Sequence, residues 1–343
     1  MTRPLLAIAA SLALALPAAA QDEPAPSPGE IVSTAAPEEW IAIPTEDMLV
    51  MKLAPGADGS ERVVVIQLMP APFSQGWVEN IRTLARAEWY DGISVNRVQD
   101  NYVVQWGDPG HDNPESGEVE TKPLPEGLRV MGEEDYIADY EVIYRMPRSR
   151  PTEIEMNPPY VKLEGTDAYG ERAFATGWPV AIIEGRKMRG NRLVNPQRGQ
   201  LVPIHCYGMV GVGRSYSPDT GSGAELYTVI GHAPRHLDRN IALVGRIISG
   251  MEHLSSLPRG SGALGFYTEE EADKRTPILS VRVASDLSET DRQQFEYLST
   301  EGETFARYAE ARANRRDPFF IHPAGGADIC NIPVPIRPVA EAE

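Results

Sequence analysis

Cysteine is scarce in this sequence: Cys206 and Cys330 are the only two in 343 residues. The sequence has no Cys-x-x-Cys pair and no His/Cys spacing typical of zinc, and its six histidines are scattered. We therefore predict no metal site and no cofactor. An oxidising compartment would permit a Cys206–Cys330 disulfide, which would pin the C-terminal tail to the middle of the chain. Two buried free thiols remain the alternative, since the sequence cannot show whether the pair meets.

Basic residues are in the minority. Lysine and arginine number 32 against 49 aspartates and glutamates, which gives a formal net charge of −17. Binding to nucleic acid or to an anionic lipid surface depends on concentrated positive charge. The composition therefore argues against both kinds of partner.

Apolar runs long enough to cross a bilayer are also lacking. The longest run, residues 5–16, is shorter than the ~20 residues a spanning helix needs. It follows Arg3 and precedes the small residues 18–20, an order typical of a secretory signal peptide cleaved after Ala20. A membrane anchor is disfavoured because no Lys/Arg cluster follows. We expect a periplasmic or secreted protein without a membrane span in the mature chain.

The remaining chain divides by composition. Residues 21–39 are rich in Pro, Ala, Ser and acidic residues and are predicted to be a flexible linker. A domain is expected over 40–285, with a Pro-, Gly- and acid-rich insert at about 109–200. Residues 286–343 are expected to form a C-terminal helix and an irregular tail.

Strand and helix patterns alternate in the first part of that domain. Apolar residues in 47–54 and 62–69 flank a turn and predict a β-hairpin. Helical spacing predicts a helix over 73–89. A second hairpin is predicted from 93–98 and 101–106.

The later segments predict mostly strands, and few helices. We expect a helix near 167–175 and another over 288–314, where Ser288 and Asp291 approximate a capping box. Residues 178–184 fit either a strand or a buried helical turn. The other predicted strands are 140–145, 202–212, 225–231, 241–249 and 277–284. This pattern favours a mainly β protein built on a closed or nearly closed antiparallel barrel.

Several short motifs in order resemble those of the cyclophilin family. They are Val78-Glu79-Asn80-Ile81, Tyr90-Asp91-Gly92, Asn96-Arg97-Val98, Gln105-Trp106-Gly107-Asp108-Pro109, and the later segments 208–214, 224–228 and 244–251. The resemblance covers about 47–108 and 202–284. It implies an eight-stranded antiparallel barrel capped by helices, and peptidyl-prolyl cis-trans isomerase activity on proline-containing polypeptides.

The resemblance also implies site residues. Arg97 matches the family's catalytic arginine, and Gln105 matches the glutamine that binds the peptide backbone. Tyr102 and Val103 match the proline pocket, and Tyr227, or else Leu226, would replace its deep phenylalanine. The other implied substrate-binding residues are Glu225, His236 and Leu237.

The chain departs from the family pattern at several of these positions. Asn96 replaces a usual histidine, Glu225 a usual glutamine and His236 a usual tryptophan, while Ile241 falls near the place of a pocket histidine. These departures favour a second hypothesis, a catalytically weak or inactive binding or chaperone module that uses the same groove. For Arg97 itself, the alternative is a surface arginine on a strand, paired with an acidic residue. A hydrolase finds little support, since neither a Gly-x-Ser-x-Gly motif nor a Ser/His/Asp order is evident.

Overall fold

The computed structural model describes residues 24–112, 121–145, 153–157, 160–162, 171–183, 188–189, 192–193 and 198–339. The expected signal peptide, residues 1–20, lies outside these ranges. None of the helices in these ranges combines the length with the apolar composition that a membrane-spanning helix requires.

Helices are short in the described part of the chain. The α-helices are α1 (Pro28–Ser33), α2 (Gln75–Arg86), α3 (Pro109–Asp112), α4 (Glu252–Ser255) and α5 (Glu303–Ala313). Short 3-10 segments lie at Pro37–Glu39, Thr45–Asp47, Glu133–Tyr136, Arg235–Leu237, Ala263–Gly265, Glu269–Lys274, Ala284–Asp286 and Ile329–Asn331.

Strands form the bulk of the structure. In chain order they are β1 (Trp40–Ala42), β2 (Met48–Leu53), β3 (Arg62–Leu68), β4 (Ser94–Val98), β5 (Val103–Gly107), β6 (Ala138–Arg145), β7 (Glu153–Asn157), β8 (Tyr160–Lys162), β9 (Glu171–Ala175), β10 (Trp178–Ile183), β11 (Met188–Arg189), β12 (Arg192–Leu193), β13 (Arg198–Pro203), β14 (Met209–Val212), β15 (Glu225–Val229), β16 (Leu243–Ser249), β17 (Ile278–Val283), β18 (Phe295–Leu298) and β19 (Ile336–Pro338).

The main sheet has eight antiparallel strands in the order β17-β2-β3-β16-β14-β15-β5-β4. Its two edge strands meet. Ser94 on β4 forms a β-bridge with Pro277, and the Ile278 amide donates to the Ile93 carbonyl at 2.8 Å. The sheet is therefore a nearly closed barrel, as the sequence predicted, and the edges that would otherwise be exposed satisfy each other.

Alternation along the strands fills the barrel with apolar side chains. On β2 and β3, the inward residues Met51, Val64 and Ile66 are buried in the main core. Helix α2 caps the barrel with its apolar face, including Trp77 and Ile81, which are fully buried. The helix spacing of these residues explains why the sequence predicted a helix here.

Two further sheets lie outside the barrel. The insert forms the six-stranded order β7-β6-β13-β10-β9-β8, and β1-β18-β19 form a three-stranded sheet. Helix α5 packs on the insert sheet, where Phe305 meets Phe174 of β9 edge to face with ring centroids 4.9 Å apart.

Arg246 joins the barrel to the insert sheet. From β16 its Nε donates to Gln67 Oε1 and its Nη1 to the Gly177 carbonyl, both at 2.8 Å. Its guanidinium lies 4.2 Å from the centre of the Trp178 ring. Burial removes water from the guanidinium and thereby lowers the pKa of Arg246 to about 9. The hydrogen bonds and the ring contact replace part of the lost hydration.

The predicted C-terminal helix over 288–314 is wrong in its first half. Ser288 and Asp291 do form the local hydrogen bonds of a cap, but they close an isolated turn. Strand β18 follows, paired between β1 and β19, and the helix begins only after Gly302. Pairing with two distant strands overrides local helix preference there.

Two other expectations need correction. The helix expected near 167–175 is strand β9 from Glu171 onward, and residues 167–170 lie outside the described ranges. The flexible linker expected over 21–39 contains helix α1, whose Ser27 capping box and buried Ile31 are packed structure. The open choice over 178–184 is resolved as strand β10.

Cys206 and Cys330 form a disulfide, with Cα atoms 5.1 Å apart and a sequence separation of 124 residues. Of the two alternatives left open by the sequence, the structure has the bridge. It ties the segment between β13 and β14 to the 3-10 turn Ile329–Asn331.

We predict that the double variant Cys206→Ala/Cys330→Ala loses about 3–5 kcal/mol of unfolding free energy, because a long cross-linked loop restricts the denatured chain. Urea unfolding measures the loss, and the wild-type protein in reductant should lose a similar amount. Equal urea midpoints for oxidised wild type and the double variant would contradict the prediction.

Candidate functional site

A row of polar and aromatic side chains crosses three neighbouring strands. In the β4–β5 pair Arg97 lies opposite Gln105, and in the β5–β15 pair Gln105 lies opposite Tyr227. Residues directly opposite each other in a sheet share a face. The three side chains therefore come together on the outer face of the barrel.

A β-bulge directs Arg97 to that face. Val95 pairs with Trp106 and Arg97 with Gln105, so Asn96 is an extra residue on β4. Val95 and Trp106 are buried in the barrel core. In a regular strand Arg97, two residues after the inward Val95, would also point inward, whereas the bulge places it opposite Gln105 on the outer face. Bulges commonly re-aim a side chain in this way.

The Arg97 guanidinium is held by three acceptors. Nη1 donates to Gln105 Oε1 at 2.9 Å, Nε donates to the Leu264 carbonyl at 2.7 Å, and Nη2 donates to Gln99 Oε1. Because the fork is planar and rigid, bonds on both sides fix its plane. The charge is thus preorganised at the edge of the cleft.

Aromatic rings support the same guanidinium. Its Cζ lies 5.6 Å from the centre of the Tyr102 ring and 5.2 Å from that of Phe266. Both distances are within the range of cation–π attraction. Tyr102 also stacks on His236, with ring centroids 6.4 Å apart.

An apolar hollow lies beside this charge. Val103, Tyr227 and Val229 form a small buried cluster, and Tyr102, Leu237 and Ile241 pack against it. The cleft that contains the hollow has a volume of about 620 Å³. Its lining residues are Arg97, Gln99, Tyr102, Val103, Gln105, Gly213, Arg214, Ser215, Tyr216, Tyr227, His236, Leu237, Ile241 and Leu264.

Behind the hollow runs a chain of buried polar groups. Tyr227 Oη lies 2.9 Å from His205 Nε2, and His205 Nδ1 lies 2.8 Å from Asp238 Oδ1. Arg235 Nε donates to Asp238 Oδ2 at 2.6 Å. Burial lowers the pKa of His205, against the hydrogen bond to Asp238, and raises the pKa of Tyr227 well above its usual range.

Most of the predicted site residues line this one cleft. They are Arg97, Tyr102, Val103, Gln105, Tyr227, His236 and Leu237. Ile241 lines it as well. Within the described ranges, no group of three or more His, Cys, Asp or Glu side chains is placed to hold a metal ion.

Leu226 and Glu225 do not line the cleft. Leu226 is part of the barrel core, because strand alternation points it inward while Tyr227 points outward. Glu225 is fully buried beneath Gly213, and its Oε1 accepts a hydrogen bond from Asn96 Nδ2 at 3.2 Å. The expectation that these two side chains bind substrate is therefore not supported.

Sequence reasoning missed several residues at the site. Gln99 and the Leu264 carbonyl hold Arg97, and Arg214 to Tyr216 form part of the rim. Leu264 belongs to a glycine-rich loop, whose sequence indicates a turn but not its position. His205 lies in an apolar segment, where a lone histidine carries no signal of its buried partner.

Comparison with known proteins agrees with this geometry. Residues 64–283 match the model of a family described as "Cyclophilin type peptidyl-prolyl cis-trans isomerase/CLD". No curated protein sequence matches the chain.

Solved structures give further matches. Cyclophilin AquaCyp293 from Hirschia baltica is 20% identical, with a TM-score of 0.60 over 89% of this chain and 95% of its own. A cyclophilin type isomerase from Cryptosporidium parvum is 11% identical, with a TM-score of 0.36 over 69% of this chain and 96% of its own. The first match shows a shared fold. With the family match over more than half of its length, the chain belongs to the cyclophilin-type peptidyl-prolyl cis-trans isomerases.

Proposed function

We propose that this isomerase stabilises the twisted prolyl amide with Arg97, and that its clients are proteins that fold after export. One observation carries the catalytic proposal: Arg97, Gln105 and Tyr227 meet in one cleft, beside an apolar hollow. The hollow suits a proline ring, and the charge lies where a peptide bond would rest.

The chemistry needs neither a nucleophile nor a proton transfer. The barrier of about 18–20 kcal/mol reflects lost amide resonance in the twisted state. In that state the prolyl nitrogen regains its lone pair and can accept a hydrogen bond. A fixed guanidinium beside an apolar wall binds this state more strongly than the planar one, which lowers the barrier.

Gln105 has two roles in this proposal. Its side-chain oxygen accepts from Arg97 and so helps to fix the guanidinium. Its amide nitrogen then remains on the other side of the group and can donate to a peptide carbonyl. This would hold the substrate backbone in register with the hollow.

A second candidate is a binding module with weak or no turnover. The observation that favours it is the engagement of the Arg97 guanidinium with Gln99, Gln105 and Leu264. If these bonds persisted in the substrate complex, fewer donors would face the amide. Peptide binding without isomerisation would distinguish this candidate.

We predict that Arg97→Ala lowers kcat/KM on an Ala-Pro peptide by about 100- to 1000-fold, the range seen when one preorganised donor is removed. Arg97→Lys should recover only part, since an ammonium keeps the charge but not the fork. A protease-coupled assay measures both rates.

Arg129→Ala is the matched control, because Arg129 is an exposed arginine paired with Glu79 and does not line the cleft. It should retain wild-type kcat/KM. Equal rates for Arg97→Ala and wild type would refute the role of Arg97. An inactive wild-type protein that still binds the peptide would favour the second candidate.

Export is supported by two independent features. Residues 1–20 have the order of a secretory signal peptide. The Cys206–Cys330 disulfide is of a kind that persists in oxidising compartments and is rare in the cytosol. Both favour a periplasmic or secreted enzyme that acts on proline-containing chains as they fold.

We predict that the full chain, expressed with a C-terminal tag in a Gram-negative host, is recovered from the periplasm with Gln21 as its first residue. Leu12→Arg should leave the uncleaved precursor inside the cell, because a charge interrupts the apolar run. Leu12→Ala, which keeps the run apolar, is the control and should be processed. N-terminal sequencing of the protein in each fraction shows whether residues 1–20 have been removed. An intact Met1 terminus on all wild-type protein would exclude the proposal.

A further inference from the structure

The floor of the hollow is Tyr227, whose hydroxyl group has a buried hydrogen-bond partner. Tyr227 is 5% exposed, and its Oη meets the ring of His205, which is 0% exposed. The two rings are nearly parallel, with an interplanar angle of 8°. A phenol buried without a partner would cost about 1–3 kcal/mol, so this contact decides whether tyrosine is tolerated at the floor.

We propose that His205, oriented by Asp238, is a positioning residue that holds Tyr227 as the fixed floor of the proline-binding hollow. This inference rests on the proposed function, since it names what maintains that same site. His205 does not line the cleft, so it acts through Tyr227 and not on the substrate.

The direction of each hydrogen bond follows from the carboxylate. An ionised carboxylate can only accept, so His205 Nδ1 carries a proton and donates to Asp238 Oδ1. In the neutral imidazole Nε2 is then an acceptor, and Tyr227 Oη donates to it. Burial lowers the pKa of His205, which keeps the imidazole neutral and this direction fixed.

The space around the hydroxyl is matched to tyrosine. A Cβ placed on Gly211 would lie 2.3 Å from Tyr227 Oη and 2.4 Å from its Cζ. Glycine at 211 on β14 therefore leaves the volume that the phenol fills. Tyr227, His205 and Gly211 form one fitted set on three different segments.

The same carboxylate also holds the wall of the hollow. Asp238 ends the 3-10 turn Arg235–Leu237, and its Oδ2 accepts from Arg235 Nε at 2.6 Å. That turn carries His236 and Leu237, which line the cleft. Floor and wall are thus fixed to a single buried group, so the width of the hollow depends on it.

Two substitutions at 205 separate the two bonds of the imidazole. The side-chain nitrogen of asparagine can take the place of Nδ1 and keep the bond to Asp238, but asparagine cannot reach Tyr227. The longer glutamine can place its oxygen near Nε2 and accept from Tyr227. His205→Asn should leave the phenol unpartnered, and His205→Gln should rescue it.

We expect His205→Asn to raise KM for an Ala-Pro peptide about five- to tenfold with kcat within about twofold, because an unpartnered phenol turns toward water in the hollow. His205→Gln should keep KM near wild type. In the Tyr227→Phe background, which has no hydroxyl to satisfy, His205→Asn should leave KM unchanged. A urea midpoint for each variant separates this effect from unfolding.

Equal KM effects of His205→Asn in the two backgrounds, or an unchanged KM in the wild-type background, would overturn the proposal. If the wild type shows no turnover, calorimetric Kd values for the same peptide replace KM, so failure of catalysis and failure of the positioning role remain distinct.

NMR provides a readout that needs neither turnover nor peptide binding: a slowly exchanging Tyr227 hydroxyl proton and an Nδ1–H tautomer at His205. Both should be seen in the wild type, and the hydroxyl signal should survive in His205→Gln but not in His205→Asn. Their absence from the wild type would refute the proposal by itself.

Discussion

The site depends on one register: Arg97 opposite Gln105, and Gln105 opposite Tyr227. A slip of one residue between strands would turn every second side chain to the other face. The bulge at Asn96 is part of this constraint, because it allows Val95 to remain in the core while Arg97 reaches the outer face. Core packing on the inside of the barrel therefore decides where the charge lies on the outside.

The cleft has a charged side and an apolar side. The guanidinium is fixed at one side by side-chain and backbone oxygens, and the hollow beside it is apolar where a proline ring would sit. Two buried polar groups near the hollow have partners on the side away from it. Tyr227 bonds to His205 behind the floor, and Asn96 bonds to Glu225 beneath the cleft. Buried polar atoms that find partners behind an apolar wall do not compete with substrate.

Much of the barrel could be predicted from the sequence, because alternation and turns are local signals. Both hairpins and helix α2 appear where periodicity placed them. The family motifs also placed Arg97 and Gln105 in one cleft with Tyr227. The bulge was not predictable, since it exists only relative to the partner strand. Strand β18 was mistaken for helix because its pairing partners are far away in sequence.

His205 shows a different limit of sequence reasoning. Its partners Tyr227 and Asp238 come later in the chain, and no spacing rule relates the three. Only the fold brings them together, through the segment that links β13 to β14. The role of a histidine in an apolar stretch therefore cannot be assigned until its buried neighbours are known.

That linking segment also connects the cleft to the parts outside the barrel. His205 bonds to the floor and wall of the hollow, while the next residue, Cys206, is bridged to Cys330 near the C-terminus. The preceding Ile204 amide donates to the Pro179 carbonyl of β10, in the insert sheet, at 3.2 Å. Three consecutive residues thus contact the insert sheet, the floor of the cleft and the C-terminal region in turn. Because neighbouring residues share one backbone, restraint of the segment from both outer sides limits how far the imidazole can move. The insert sheet, joined to the barrel again through Arg246, and the C-terminal region therefore support the position of the cleft floor.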